Sequence, residues 1–343
     1  MSTHRLEVVK LGTVEPHPNA DRLEVVAIRG WQCVVGKGQF ALGCLAAYVE
    51  PDSLVPVTQP EFAFLASKAV PTKYNGMVRV KVAKLRGAVS QGVLIPARPH
   101  WKEGDNVMEE LGVLHYEPPQ EAMNTGGESE KAPVQRIKIP GIENEVLHEY
   151  QRPVYDVESY YRYPHLLIRG EPVCATEKIH GSNARFFWSE GRMWCGSRTE
   201  WKKPNDANLW WRVLAAESWL EEFCREHPTM TVYGEAYGNV QDLSYGHKKG
   251  EVSLAVFDIL DGNRWIPWRE ARIIGKNLKW VPILYEGPFY ITTLGTLADG
   301  QSAVPGANNI REGIVVKPDT ERVDIEIGRV QLKLVSNVYL ERA

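Results

Sequence analysis

Apolar and polar residues alternate along short stretches in the first third of the chain. Residues 6–11 and 22–28 show this period of two most clearly. Further short apolar runs lie at residues 32–35, 45–49, 77–82 and 92–95. A period of two predicts half-buried β-strands, and Gly and Pro separate the runs at a spacing typical of a small barrel. The pattern therefore predicts a β-barrel module over residues 1–116.

The stretch from residue 117 to residue 133 has no periodic apolar face. Pro, Gly and acidic residues dominate it, as in Glu117-Pro118-Pro119 and Gly126-Gly127-Glu128. Such a composition is typical of a segment that joins domains. We expect a flexible linker here, although a disordered loop inside one domain would have the same composition.

The remaining residues, 134–343, mix helical and strand patterns. Residues 209–224 have helical apolar spacing, with a start near Asn205-Asp206 and with Trp210, Leu214 and Phe223 in the core. Strand patterns lie at residues 231–236, 252–260, 313–317 and 329–335. We expect two facing antiparallel sheets with flanking helices, which makes the fold class of the whole chain α+β.

Composition narrows the function only slightly. The net charge of −3 gives no bulk signal for a polyanionic partner, so any nucleic-acid contact has to come from local patches. The five cysteines form no C-x-x-C pair and are expected to be reduced thiols of a cytoplasmic protein. No signal peptide and no apolar run of about 20 residues is present, which predicts no membrane span. The absence of heptad repeats favours a monomer.

One short turn carries the strongest chemical signal. In Ala175-Thr176-Glu177-Lys178-Ile179-His180-Gly181-Ser182-Asn183, a lysine lies close to a carboxylate, a histidine and an asparagine, between two strand patterns. A lysine that loses part of its hydration at such a turn becomes a usable amine nucleophile. A solvated hairpin tip with a structural glycine is the alternative for this turn taken alone.

Further motifs follow this turn in a fixed order. They are Ser197-Arg198, Tyr233-Gly234-Glu235-Ala236-Tyr237-Gly238, Leu254-Ala255-Val256-Phe257-Asp258-Ile259-Leu260, Arg311-Glu312-Gly313-Ile314-Val315-Val316-Lys317-Pro318 and Gln331-Leu332-Lys333-Leu334. The series over residues 136–343 resembles the covalent nucleotidyltransferases, which are the polynucleotide ligases and the mRNA capping enzymes. His180 followed by Gly-Ser-Asn resembles the branch of RNA ligase 2. The resemblance implies an ATP-grasp-like adenylylation domain.

The resemblance also implies a role for each motif residue. Lys178 is the expected nucleophile toward ATP, Lys317 and Lys333 contact the α-phosphate, and His180 assists sealing. Glu312 is the expected ligand of Mg²⁺ or Mn²⁺, and Asp258 supports the metal or the lysine. The remaining nucleotide contacts are Glu177 (through its backbone, at the adenine edge), Gly181, Asn183 (a metal-bound water), Arg198 (ribose or the 5′-phosphate end), Glu235 (ribose hydroxyls) and Phe257 (stacking on adenine).

The last motif departs from the family pattern. Many relatives have Lys-x-Lys there, whereas this chain has Gln331-Leu332-Lys333-Leu334-Val335, which holds a single lysine in either register. One expected cation is therefore missing, and either Lys333 suffices alone or another basic residue replaces it.

The front module carries a second resemblance. Segments 17–23 and 84–92 look like the oligonucleotide-binding (OB) folds of tRNA-binding modules. Basic residues that could line a groove for nucleic acid are Lys81, Lys84 and Arg86, together with Lys37 and Arg98, and the aromatic residues that could stack bases are Trp31, Phe40 and Tyr48. A solvated barrel face has the same residues without binding anything.

An OB module in front of the ligase motifs resembles the Deinococcus radiodurans type of RNA ligase. The implied activity is an ATP-dependent RNA ligase that joins 3′-OH and 5′-phosphate ends through lysyl-AMP. Its implied partner is RNA, as a nicked duplex or an RNA/DNA hybrid. Two alternatives remain, which are an end-capping nucleotidyltransferase and a noncatalytic RNA-binding protein.

Overall fold

The computed structural model describes residues 4–70, 74–116, 144–145, 152–238 and 243–342. The described chain divides into two compact units, one formed by residues up to 116 and one formed mainly by residues 152–339. The expected linker, residues 117–133, lies outside the described residues. The domain boundaries drawn from the sequence stay a prediction.

The N-terminal unit consists of short strands and two 3₁₀ segments, Pro60–Lys68 and Tyr74–Gly76. The strands are β1 Leu6–Lys10, β2 Val14–Pro16, β3 Leu23–Ile28, β4 Trp31–Gly36, β5 Leu45–Val49, β6 Ser53–Val55, β7 Val78–Arg79, β8 Ala83–Leu85, β9 Ala88–Ser90, β10 Val93–Pro96 and β11 Leu114–His115. They pair in the orders β1-β5-β10, β2-β3-β4, β11-β6-β7 and β8-β9. The pattern at residues 77–82 gives only the two-residue strand β7, after which the chain leaves the ladder.

Alternation fixes which face of these strands is buried. Val26 and Ile28 of β3 and Cys33 of β4 are inaccessible to solvent, and they share an apolar cluster with Tyr48 of β5 and Leu94 of β10. Because every second residue of a strand points to the same face, the period of two in the sequence corresponds to this buried layer.

The C-terminal unit has two larger sheets and five short helices. Its strands are β12 Asn144–Glu145, β13 Glu158–Ser159, β14 Pro172–Lys178, β15 Ser182–Ser189, β16 Arg192–Gly196, β17 Trp201–Lys202, β18 Met230–Gly238, β19 Val252–Asp261, β20 Arg264–Trp265, β21 Ile283–Pro288, β22 Gly313–Pro318, β23 Val323–Asp324, β24 Gly328–Arg329 and β25 Leu332–Val335. The helices are α1 Leu209–Ala216, α2 Ser218–Glu226, α3 Trp268–Ile274, α4 Ile291–Ala298 and α5 Asn337–Glu341.

One sheet has seven strands in the order β12-β17-β16-β15-β18-β19-β20, and the other has five in the order β13-β25-β22-β14-β21. All named pairs are antiparallel except β13 with β25, which is parallel. The outer face of the seven-stranded sheet packs on α1 and α2, and the outer face of the five-stranded sheet packs on Leu294 of α4. Their inner faces carry the polar motif residues.

The single helix expected at residues 209–224 is two helices. α1 begins after Asn208, whose side chain accepts a hydrogen bond from the backbone N–H of Trp210, and not at Asn205-Asp206. The chain breaks at Glu217, which is buried and accepts hydrogen bonds from Trp219 and from the backbone of Leu254. A buried carboxylate has to find such partners, which explains the break. Trp210 and Phe223 are in the core, as predicted.

Among the described residues, no helix is long and apolar enough to cross a membrane.

Candidate active site

The register of the five-stranded sheet places three motif lysines on one face. Lys178 pairs with Gly313, and Val315 pairs with Lys333, while Lys317 lies two positions beyond Val315. Residues at even spacing along paired strands share a face, so the three ammonium groups point to the inner side. The alternate residues, such as Ile314 and Leu334, are in the apolar core beneath the sheet. The sequence therefore positions these lysines through strand alternation.

Lys178 is the last residue of β14, and its amine contacts a motif carboxylate. The Nζ of Lys178 donates to Oε1 of Glu312 at 2.6 Å. The turn after Lys178 passes close to β18, where a Cβ on Gly181 would lie 2.3 Å from the carbonyl oxygen of Ala236. Only glycine fits this approach. Gly181 is thus required for the close approach of the two backbones, and its expected contact with nucleotide stays a prediction.

Glu312 lies just outside β22, which begins at Gly313. A Cβ on Gly313 would lie 2.2 Å from the carbonyl oxygen of Leu334, so the neighbouring strand requires glycine there. Because the strand begins after Glu312, Glu312 and Lys317 can both reach the inner side despite their odd spacing.

The charges closest to Lys178 do not favour the neutral amine that a nucleophile needs. A nearby metal ion or cationic side chain would favour it, but Glu312 and Glu235 are carboxylates. Burial disfavours the ammonium, yet Glu312 and Glu235 outweigh burial and raise the pKa of Lys178. Burial likewise opposes ionisation of Glu312, but Lys178 and His180 hold the pKa of Glu312 at about 2. Lys178 is therefore a protonated partner of Glu312.

Glu235 and Asn183 face each other across β18 and β15. Burial, with Glu312 adding to it against the attraction of Lys178, raises the pKa of Glu235 to about 7. The Oδ1 of Asn183 is buried without a hydrogen-bond partner among the described residues. A buried oxygen without a donor is costly, so this atom is available to a ligand.

The inner face suits a divalent cation that is held mostly by phosphate and water. Among the described residues, no cluster of three or more His, Cys, Asp or Glu side chains could hold an ion by itself. Glu312 and the unpartnered Asn183 oxygen are the hard oxygen donors that Mg²⁺ or Mn²⁺ accepts, directly or through water. These residues fit a cation that arrives with nucleotide.

Asp258 is not available to a metal ion, which corrects the expected metal role. Its carboxylate is inaccessible to solvent and accepts hydrogen bonds from Lys317 at 2.6 Å, from Arg329 at 2.5 Å and from the hydroxyl of Tyr155 at 2.7 Å. Burial opposes ionisation, but Lys317 and Arg329 keep the pKa of Asp258 low. The other expected function, support of a lysine, is the one that this geometry provides, and the lysine is Lys317.

Phe257 occupies a β-bulge. Tyr233 pairs with Asp258 and Gly234 pairs with Val256, which leaves Phe257 as the extra residue on β19. A bulge redirects a side chain, and this one brings Phe257 to the inner face next to Asp258. Its ring is partly buried, 4.4 Å from the ring of Tyr155. A partly covered aromatic ring beside the lysines can stack on a base, as expected.

Glu177 has a different environment from the one expected. Its backbone N–H donates to the carbonyl of Pro282 at 2.9 Å and is not free for an adenine edge. Its side chain is buried, and Oε2 accepts a hydrogen bond from the backbone N–H of Ala303 at 2.6 Å. Oε1 has no partner among the described residues. The side chain, rather than the backbone N–H, therefore offers the open polar atom.

His180 contacts two tyrosines that sequence reasoning missed. Its Nδ1 lies 3.0 Å from the hydroxyl of Tyr339, and its backbone N–H donates to the hydroxyl of Tyr245 at 2.7 Å. Nδ1 also lies 3.7 Å from Oε2 of Glu312. Neither tyrosine belongs to a recognisable motif, so only the tertiary structure reveals them.

Two further motif residues lie at the edges of this group. Lys333 pairs with Val315, two positions from the partner of Lys178, and burial together with the charge of Lys178 lowers the pKa of Lys333. Arg198 lies at the turn between β16 and β17 and donates to Oδ1 of Asp156 at 2.8 Å. Arg198 is half-buried and at the rim of the inner face, where a ribose or an RNA end can approach.

The nucleic-acid candidates of the N-terminal unit divide into two groups. Lys81, Lys84 and Arg86 are exposed on or beside the hairpin of β8 and β9. Phe40 and Tyr48 are buried and cannot stack bases, and Arg98 is paired with Glu61 and Glu110.

The two short segments that resemble tRNA-binding modules contact each other. The side chain of His17 bonds to the carbonyl of Leu85, and the side chain of Asn19 donates to the carbonyl of Arg86. These contacts hold the hairpin tip, so the first segment has a structural role.

Comparison with known families agrees with this geometry. Residues 171–335 match the model of the RNA ligase family. This segment, the RNA ligase domain, is thus similar to that family. Residues 6–97 match the model of an OB-fold domain, which confirms the fold expected for the front module. No curated protein sequence matches the chain.

The RNA ligase domain and the OB-fold domain together resemble solved structures of Naegleria gruberi RNA ligase. A ligand-free variant is 25% identical with a TM-score of 0.79, over 100% of this chain and 99% of that one. Variants with ATP and Mn and with AMP and Mn are each 24% identical with a TM-score of 0.79; the matches cover 98% of both chains in the first case and 99% of both in the second. The α+β fold with an N-terminal OB-fold domain is thus confirmed, as is the enzyme class of the ligase domain.

Proposed function

We propose that the protein is an ATP-dependent RNA ligase that works through lysyl-AMP. The observation that carries this proposal is the ion pair between Lys178 and Glu312, on a face shared with Lys317 and Lys333. A single amine with an adjacent carboxylate and two further cations matches the needs of nucleotidyl transfer. The structures of Naegleria gruberi RNA ligase with ATP, AMP and Mn support the choice of nucleotide and cation.

The reaction has three steps. First, the neutral Nζ of Lys178 attacks the α-phosphorus of ATP, the N–P bond forms, and pyrophosphate leaves. Second, a 5′-phosphate oxygen of RNA attacks the same phosphorus and breaks the N–P bond. Third, a 3′-hydroxyl attacks the activated 5′-phosphate and expels AMP. Every step develops negative charge on phosphate oxygens, which Lys317 and Lys333 stabilise.

The first step requires that Lys178 lose a proton. Glu312 opposes this loss while its charge faces the amine alone. Glu312, with the Oδ1 of Asn183, would hold a divalent cation, which would supply positive charge to offset the carboxylate and the phosphate oxygens. Glu235 accepts hydrogen bonds from the ribose, and Phe257 stacks on the base.

We further infer the substrate as a nick in a duplex with RNA on the 3′-OH side, in RNA repair. His180 with Gly181, Ser182 and Asn183 supports the RNA ligase 2 branch, and the front OB-fold domain supports the Deinococcus type. Lys81, Lys84 and Arg86 supply the nucleic-acid surface of the OB-fold domain. Mg²⁺ or Mn²⁺ serves as cofactor, and the protein acts as a cytoplasmic monomer.

Incubation with α-labelled ATP and Mg²⁺ tests the proposal. We expect label on the wild-type protein with ATP and not with GTP, and none on Lys178→Ala. Labelling by GTP would instead indicate a capping enzyme. No label from any nucleotide would indicate a noncatalytic RNA-binding protein.

The proposed substrate is tested by supplying nicked duplexes to the purified protein that already carries lysyl-AMP. We expect faster sealing of nicked duplexes with RNA on the 3′-OH side than of those with DNA there. Faster circularisation of single-stranded RNA would contradict nick sealing. For the OB-fold domain, joint replacement of Lys81, Lys84 and Arg86 by alanine should weaken end joining and leave lysyl-AMP formation intact, with Arg98→Ala as the matched control.

A further inference from the structure

The last motif lacks a lysine at position 331, and the side chain there carries no charge. Gln331 is buried, its Oε1 lies 2.7 Å from the hydroxyl of Tyr155, which shares its one proton between Gln331 and Asp258, and its amide donates to the carbonyl of Asp156 at 3.4 Å. Tyr155 also contacts Asp258, so position 331 borders the pair of Asp258 and Lys317. The motif itself therefore supplies no positive charge at position 331.

Two residues earlier in the chain, Arg329 brings a positive charge to Asp258, the carboxylate that also contacts Tyr155. Nη1 of Arg329, at the end of β24, lies 2.5 Å from Oδ2 of Asp258, and its Nη2 lies 3.3 Å from Oδ1. The side chain is only 9% exposed, and its guanidinium lies 4.8 Å from the ring of Trp265. Arg329 belongs to the hairpin of β23 and β24, outside the motif, and its spacing gives no signal in the sequence.

Arg329 changes the balance of charge around Lys317. Lys317 donates to Asp258 at 2.6 Å and to the carbonyl of Phe257 at 2.8 Å. Arg329 pairs with Asp258 and also with Glu321. The two positive charges, of Lys317 and Arg329, balance the two negative charges of Asp258 and Glu321. Without Arg329 the cluster would carry a net negative charge beside the position of the phosphates, and Asp258 would hold Lys317 more tightly.

We propose that Arg329 supplies the cation that the last motif lacks, as a positioning residue that shares Asp258 and leaves Lys317 able to bind the α-phosphate. The proposal rests on the proposed function. A guanidinium suits this position because it can bridge two carboxylates with fixed geometry, which an ammonium at position 331 cannot do. Asp258 is then the common anchor of both cations.

The test measures single-turnover formation of lysyl-AMP at several ATP concentrations. Arg329→Gln should lower the maximal rate about 100-fold, the effect of losing one preorganised charge at a transition state. Arg329→Lys should recover about 10-fold of this loss, because it keeps the charge but loses the bidentate geometry. Addition of Gln331→Lys to Arg329→Gln should restore activity by at least 10-fold, because it places a lysine where the family pattern has one.

Arg322→Ala is the matched control, because Arg322 adjoins the same hairpin and pairs with Glu171 instead of Asp258. It should keep the wild-type rate, and all variants are compared at equal folded fraction by thermal unfolding. An unchanged rate in folded Arg329→Gln, or no recovery in both Arg329→Lys and the double variant, would overturn the proposal. If the wild-type protein itself forms no adduct, the proposed function fails first, so the two failures are distinct.

Discussion

The Nζ of Lys178 lies 2.6 Å from Oε1 of Glu312, although 134 residues separate them along the chain. The contact joins the end of β14 to the start of β22, where the two strands pair at Lys178 and Gly313. The expected nucleophile and the expected metal ligand thus form one ion pair. Within this ion pair Lys178 is an ammonium, because Glu312 raises its pKa.

Glu312→Gln tests the ion pair of Lys178 and Glu312. The change removes the main charge that raises the pKa of Lys178, but it also removes the carboxylate that would bind the cation. We expect lysyl-AMP formation to fall at least 100-fold, because lost cation binding outweighs easier deprotonation. Mass spectrometry of the adduct over a range of Mn²⁺ concentrations measures it. Glu222→Gln, an exposed glutamate on α2, is the control, and equal rates in the two variants would refute the metal role.

Glu235 predicts a pH dependence of stability. Its pKa in the folded protein, about 7, is above the ordinary value of 4.5. The folded state therefore binds more protons than the unfolded state between these values, and the free energy of unfolding falls as the pH rises from about 5 to 8. Glu235→Gln removes this dependence and should be more stable than wild type by about 3 kcal/mol at pH 8, with a gain below about 1 kcal/mol at pH 5. Denaturant unfolding at both pH values measures the difference, and an equal effect at both would contradict the assignment.

Tyr339 predicts a step-specific defect. Its hydroxyl lies 3.0 Å from Nδ1 of His180 and orients the imidazole. Tyr339→Phe should slow sealing by preadenylylated enzyme about 10-fold, the scale of a lost orienting contact, and leave lysyl-AMP formation within about twofold of wild type. His180→Ala should affect the same step more strongly. Tyr290→Phe, a change at an exposed tyrosine, is the control, and a parallel loss in both steps would argue against the role of His180 in sealing.

The cysteines predict a labelling pattern. Burial raises the pKa of Cys33 and of Cys174 to about 12 and also raises that of Cys224, and Cys195 is buried. Cys44 is only partly buried. A maleimide at pH 7.5 should therefore label the native protein at Cys44 alone, because the thiolate is the reactive form. Cys44→Ser should stay unlabelled until the protein is unfolded, and native labelling at Cys174 would show that the strand beside Lys317 opens.

Strand alternation made much of the inner face predictable. Lys317 and Lys333 lie on separate strands, and a period of two is enough to bring both to one side once those strands pair. The backbone approaches that exclude a Cβ at Gly181 and Gly313 became visible only once the strands were paired. Helix boundaries were less predictable: Glu217 breaks the expected helix because its buried carboxylate needs partners from Trp219 and Leu254.

The sequence by itself determined the candidates for the chemistry: the expected lysine nucleophile, the carboxylates expected to act with it and the order of the strands that carry them, since these depend on residue type and local periodicity. Only the tertiary structure decided how charge is shared. Asp258 holds Lys317 and Arg329 instead of a metal, and Tyr339 reaches His180, because such contacts join side chains that are tens of residues apart or more. Their energies depend on burial and distance, which no local pattern encodes.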